Sequence, residues 1–343
     1  MHYASFDPDG PAMGGGLFGL DIDARSAAVQ VIPVAWEATA SYGRGTRHGP
    51  DAVLRASGQL DLADPDFGEA WRQGIGLLDL GDRIARWGAE IDHDALAVIH
   101  SGGEHPDLAA RVDHMAESVH AIVEAEARRV LHEGRIPAVL GGDHSTPVGL
   151  HRAVCEAFPG VGFLHIDAHA DLRVAYLGFQ YSHASIFHNT MGLPGAGRLV
   201  GVGWRDLGAA ERERIAQDDR ILPFFDEDIG RELAAGGAWV DLCTRIVDAL
   251  PAQVHISVDI DGLDPVLCPS TGTPVPGGLS FRDLQVLLRH LAQQRQVVGF
   301  DLVEVNPGRW PLVEHARDGI DAIVGARVLY KLAGCALSSR RSG

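Results

Sequence analysis

Eight short runs of β-branched and other apolar residues constrain this chain more than any other feature of it. They lie at 28–34, 75–80, 136–140, 161–166, 198–202, 221–225, 253–258 and 297–303. Each is nearly continuous rather than alternating, which is how strands buried on both faces read. Helical stretches stand between them. Residues 107–132 place Leu108, Val112, Met115, Val119, Ile122, Val123 and Val130 at helical spacing and stop at Gly134. Ser280 and Asp283 form a capping signal before a helix over 284–291, and a last helix covers about 314–332. This alternation predicts the α/β class, a doubly wound parallel sheet with helices on both faces. Ligands of such sheets sit at the carboxyl ends of the strands, so chemistry is expected just after the apolar runs. Residues 1–25, rich in Gly, Asp and Ala, read as an N-terminal arm. No linker or break in composition divides 26–343, which reads as one domain.

Composition excludes several function classes. The chain has 343 residues, 46% of them apolar, so a large core is available, and its net charge is −17. That charge argues against nucleic acid or an anionic membrane as partner. Cys155, Cys243, Cys268 and Cys335 form no CxxC pair, so neither a disulfide framework nor a zinc knuckle is expected, and Cys155 reads as a small buried residue. No signal peptide and no run of about 18 apolar residues is visible. A cytoplasmic, reducing compartment is the simplest expectation.

Three motifs follow strand runs directly. Gly141-Gly142-Asp143-His144-Ser145 follows 136–140; its glycines permit a tight turn, but a lone His there is more often a packed residue than a ligand. In the second, which closes 161–166, Asp167, His169 and Asp171 share one side of an extended chain and can converge. Carboxylates so close repel each other unless a cation lies between them. The third motif places Asp259 and Asp261 on one face, while Asp264 before Pro265 reads as a turn residue. Together they supply two imidazoles and four carboxylates, enough to neutralise two divalent cations. Oxygen and imidazole donors without thiolate favour Mn²⁺, with Ni²⁺, Co²⁺, Fe²⁺ and Zn²⁺ also accommodated. Two metals about 3.5–4 Å apart lower the pKa of a shared water towards neutrality, so hydrolysis at an electrophilic carbon is expected.

With these motifs the chain resembles the ureohydrolase superfamily of arginase, agmatinase and related amidinohydrolases, and its agmatinase-like members in particular. The resemblance rests on GGDHS (141–145), DAHAD (167–171), SVDIDGLDP (257–265), GTPVPGG (272–278) and DLVEVNP (301–307), in family order, with further similarity at 41–46 and 48–50. It implies a three-layer α/β/α fold with an eight-stranded parallel sheet, hydrolysis of a guanidino group to urea and an amine, and a trimer or hexamer. It also implies one metal on His144, Asp167, Asp171 and Asp259 and a second on Asp167, His169, Asp259 and Asp261, with Asp167 and Asp259 bridging. Glu304 matches the glutamate that orients the guanidinium, a task suited to paired charge-assisted hydrogen bonds. His183 matches the histidine that shuttles protons, though Ala184 follows it where Gly is commoner; His188 is out of register.

Two departures bear on substrate. Where arginases carry an Asn- and Thr-rich loop that reads the amino acid, residues 172–181 are aromatic and apolar, which favours an amine or a short apolar guanidine. Trp36, beside Glu37, either narrows the pocket for a substrate such as guanidinobutyrate or guanidine, or is a core aromatic. His93, His100 and His105 read as exposed loop residues rather than a further metal site. Formiminoglutamase and arginase activities are the near alternatives. A deacetylase shares the sheet plan but normally needs one metal, and a catalytically silent binding subunit would have lost ligands that are all present here.

Overall fold

A computed structural model describes residues 7–8, 10, 15–308 and 319–340. The eight apolar runs become eight strands: β1 (Val29–Val34), β2 (Ile75–Leu77), β3 (Ile136–Gly141), β4 (Val161–Ile166), β5 (Ala196–Val202), β6 (Ile221–Phe224), β7 (Gln253–Asp259) and β8 (Gln296–Val303). All pair in parallel within one sheet, in the order β2-β1-β3-β8-β7-β4-β5-β6. β2 ends at Leu77 rather than at residue 80 because it is an edge strand. Only β1 bonds to it, and that ladder closes with Leu78 N–H on the Val31 carbonyl.

Ten helices stand among the described residues: α1 (Gly49–Ser57), α2 (Arg83–His100), α3 (Pro106–His132), α4 (Val148–Ala157), α5 (Ile186–Met191), α6 (Ala209–Gln217), α7 (Asp226–Ala234), α8 (Trp239–Asp248), α9 (Phe281–Gln294) and α10 (Ile320–Ser339). Helices α1 and α7–α10 cover one face of the sheet, and α2–α6 cover the other. Alternation along each strand divides the two cores. In β4, Leu164 and Ile166 join the first core while Val161 and Phe163 join the second. Both faces therefore need apolar residues, which explains the continuous runs.

His93 and His100 lie on α2 rather than in a loop. Ile84, Ile91, Ala95 and Val98 recur at helical spacing in this segment and bury its inner face. Both imidazoles, and His105 just before α3, are exposed as expected. Helix α9 begins at the expected box, with Ser280 Oγ accepting from Asp283 N–H and Asp283 Oδ2 accepting from Ser280 N–H. Helix α10 runs on to Ser339, and residues 314–318 of the expected last helix lie outside the described residues. Within the stretch read as an arm, Leu17, Phe18 and Leu20 are buried, and Phe18 meets Tyr330 edge-on at 4.9 Å. All four cysteines are buried free thiols. No helix among the described residues is long and apolar enough to cross a membrane.

Candidate metal centre

The strand order places β3, β8, β7 and β4 side by side at the middle of the sheet. His144 follows the first of these, Glu304 the second, Asp261 the third (with Asp259 its last residue), and Asp167, His169 and Asp171 the fourth. Residues more than a hundred positions apart thus meet at adjacent carboxyl ends. Two glycines permit the approach. A Cβ on Gly142 would lie 1.9 Å from the Trp36 carbonyl oxygen, and one on Gly262 would lie 2.5 Å from the Asp167 nitrogen.

His144 Nδ1 sits 3.1 Å from Asp167 Oδ2, 3.0 Å from Asp171 Oδ2 and 3.3 Å from Asp259 Oδ2. His169 Nδ1 lies 3.4 Å from Asp167 Oδ1 and 3.3 Å from Asp261 Oδ2. All six expected residues are therefore brought together, with Asp167 common to both groups. The backbone locks them in place: Asp259 Oδ1 accepts from Asp261 N–H, Asp261 Oδ1 from Ala168 N–H, and Asp167 Oδ1 from His169 N–H. Asp171 and Glu304 have φ of 55° and 60°. Such values cost a non-glycine residue on the order of 1–3 kcal/mol and persist where the surroundings over-determine them.

This arrangement fits a cation. Buried Nδ1 of His144 has no hydrogen-bond partner despite its three acidic neighbours. Its tautomer follows from the next shell. Ser257 Oγ donates to Asp301 Oδ1 at 2.7 Å, so it can only accept at 3.0 Å from His144 Nε2–H. A neutral His144 therefore turns a bare lone pair towards the carboxylates, as a metal ligand must. Asp301 Oδ2 is held in turn by His151 and His255 at 3.1 and 2.7 Å. Electrostatics point the same way. Burial, with the Asp167 charge, pushes Asp171 up to about 7. Burial with Asp261 and Asp167 beside it holds Asp259 well above the carboxylate range. Burial resists charge on His169, but Asp261 and Asp167 outweigh it and carry its pKa up to about 12. A cluster that must take up protons when it holds only its own charges is a cluster suited to cations.

A cavity of about 180 Å³ opens onto His144, His169, Asp171 and Asp259, and both His183 and Glu304 line it. Glu304 Oε1 accepts from His144 N–H at 3.0 Å, which ties the glutamate to the cluster. The His183 ring is held through Nδ1 by Thr39 Oγ1 at 3.0 Å, and the same hydroxyl accepts from His183 N–H and contacts Asp143 Oδ2. A hydroxyl has one proton; given to Asp143, it leaves Thr39 accepting from His183 Nδ1–H and Nε2 with its lone pair. His188 instead contacts Arg214. Trp36 is the core aromatic of the two readings: it is 1% exposed, packs in the second core and does not line the cavity.

Sequence reasoning missed several supporting residues. His165 Nε2 meets Asp167 Oδ2 at 2.7 Å while its Nδ1 accepts from Trp204 Nε1–H. The period-two spacing that grouped Asp167 with His169 also pointed to His165, and likewise to Ser257 beside Asp259. Arg205 gathers the carbonyls of Gly203, Asp261, Leu263 and Val275. For it, as for Thr39 and Asp301, no spacing gives a signal.

The sequence model of the arginase family matches residues 27–334. The chain belongs to the arginase family. Over 291 residues it is 38% identical to the N(1)-aminopropylagmatine ureohydrolase of Thermus thermophilus, covering 84% of this chain and 85% of that protein. It is 30% identical over 320 residues to the proclavaminate amidinohydrolase of Streptomyces clavuligerus, covering 91% and 90%. The crystal structure of agmatine ureohydrolase from Thermoplasma volcanium superposes with a TM-score of 0.70 at 26% identity over 94% of each chain. The three-layer fold and the eight-stranded sheet are those of this arginase-family architecture. Proteins of this family use a binuclear divalent metal centre, and the His and Asp clusters of this chain could hold metal.

Proposed function

We propose that this arginase-family chain is a binuclear-metal amidinohydrolase that converts a small guanidine of the agmatine class to urea and an amine. One observation carries the reading: the six metal-type side chains meet at the ends of β3, β7 and β4, on a cavity also lined by His183 and by Glu304, which follows β8 between them. The names of the relatives support it, since two are ureohydrolases of agmatine or an agmatine derivative and one is an amidinohydrolase.

His144, Asp167, Asp171 and Asp259 would hold one ion and Asp167, His169, Asp259 and Asp261 the other. Mn²⁺ suits this oxygen and imidazole set best. When bound, the two ions supply positive charge that acidifies water and polarises the guanidino carbon. The chain's own residues do the rest. Burial, Asp259 and Asp143 hold the Glu304 carboxyl well above its usual range, so it gains most from a planar cation that restores its charge. Water adds its oxygen to the guanidino carbon, the bond to the tail nitrogen breaks, and that nitrogen leaves with an added proton. His183 Nε2 carries the proton. Burial lowers the His183 pKa, against the pull of Asp143, and keeps the ring neutral and able to accept.

Arginine fits less well. Of the 172–181 loop, only Arg173 and Tyr176 line the cavity; they bring one phenolic hydroxyl and no amide, and Arg173 is already held by Glu211 and the Tyr176 ring rather than set aside for an α-carboxylate. The buried free thiols support a cytoplasmic setting, and a trimer or hexamer is the assembly the family likeness suggests. The test is metal analysis together with colorimetric urea release, in Mn²⁺ and Ni²⁺, on agmatine, 4-guanidinobutyrate, 3-guanidinopropionate, arginine and guanidine. About two ions per chain and urea from agmatine are expected. No urea from any of the five overturns the reading.

A further inference from the structure

The wall of the cavity carries one carboxylate that the chemistry above does not use. Asp206, in the turn between β5 and α6, lines the same cavity as the metal-type residues, Glu304 and His183. Its side chain makes no hydrogen bond or ion pair among the described residues. Its backbone N–H, by contrast, is fixed on the Ala168 carbonyl at 3.1 Å, inside the second motif. The residue is therefore placed by its main chain, and its carboxylate stays open to the cavity.

A charge count shows what that carboxylate is available for. Asp167, Asp171, Asp259 and Asp261 balance two divalent ions. Glu304 balances the guanidinium. Glu211, the other acidic residue on the wall, is buried and accepts from Leu172 N–H and Gly208 N–H. It also faces Arg173, whose Nε is 3.8 Å from Glu211 Oε2 and whose guanidinium lies 5.0 Å over the Tyr176 ring. Arg173 is the sole Arg or Lys among the residues lining the cavity, and it already has both a counter-ion and a ring. Asp206 is left with its charge uncompensated. A cavity whose wall carries one unpaired carboxylate besides the cluster and Glu304 favours a molecule with a second positive charge in its tail.

We propose that Asp206 is the specificity-determining residue that receives the distal ammonium of the substrate, so that amine-tailed guanidines are preferred over neutral or carboxylate-tailed ones. This rests on the amidinohydrolase reading and narrows its substrate class. Because Asp206 is exposed, solvent screens the pair and a modest effect is expected.

The test compares wild type with Asp206→Asn and Asp206→Lys in the Mn²⁺-loaded enzyme on three guanidines of equal chain length: agmatine, n-butylguanidine and 4-guanidinobutyrate. In Asp206→Asn, kcat/KM for agmatine should fall about threefold to tenfold, mainly through KM, with n-butylguanidine unchanged. Asp206→Lys should move the preference towards 4-guanidinobutyrate. Calorimetric binding of 1,4-diaminobutane, the diamine product, should weaken in both variants while binding of n-butylamine does not. Equal changes for all three guanidines, or an unchanged agmatine preference in Asp206→Lys, overturn the assignment of Asp206 while urea release keeps the amidinohydrolase reading. Absence of urea from every guanidine in wild type overturns both.

Discussion

At the scale of single residues, the centre depends on which atom of each side chain is left bare. Asp261 belongs to the second group of the cluster, its Oδ2 near His169 and its Oδ1 fixed by Ala168 N–H. Asp261→Ala should therefore lower Mn²⁺ content and cut urea release by at least about 100-fold; turnover near wild type would refute its assignment as a ligand. Asp301 never touches the cavity but sets the direction of the Ser257 proton and hence the His144 tautomer. In Asp301→Asn the amide cannot accept from both histidines and the serine at once. Metal affinity should drop about 10- to 100-fold, measured by competition with a chromophoric chelator. Thr39→Val removes the partner of His183 Nδ1 without touching a ligand. Metal content should hold, while kcat falls and the pH–rate profile shifts. An unchanged profile would mean that Thr39 does not orient the ring.

At the scale of elements, strand-end loops must come closer than side chains allow. Gly142 presses on the Trp36 carbonyl, and Asp143 N–H bonds to the same oxygen at 3.0 Å. Since the obstacle is backbone, Gly142→Ala must displace either the β1 or the β3 loop. A loss of about 2 kcal/mol in stability is expected, with lowered metal occupancy, read by denaturant unfolding and metal analysis. The box at the start of α9 makes a useful contrast. Ser280→Ala should cost about 1 kcal/mol through the lost cap and leave urea release as it was, because nothing in that box reaches the centre.

At the scale of the whole molecule, the cluster couples metal to protons. Without cations, His169 keeps its proton up to about 12 and Asp171 keeps its own up to about 7. Cations bind the deprotonated forms, so metal uptake near pH 7 releases protons, and acid weakens binding as it protonates Asp171. Calorimetry of Mn²⁺ binding in two buffers of different ionisation enthalpy should show net proton release, with affinity falling from pH 8 to pH 6. Affinity independent of pH across that range would contradict the placement of Asp171 and His169 around the ions.

Local chemistry in the chain carried a good deal of this. Apolar runs that need two covered faces marked all eight strands, and period-two spacing grouped Asp167 with His169 and Asp171, and Asp259 with Asp261, because both patterns depend only on neighbours along the chain. Tertiary structure alone decided the rest. The order β3-β8-β7-β4 set His144 and Glu304 beside those groups, and it placed Thr39 under His183, Asp301 behind Ser257 and Asp206 on the cavity wall. Those meetings join residues far apart along the chain. They depend on how strands are ordered in the sheet, which no local spacing encodes.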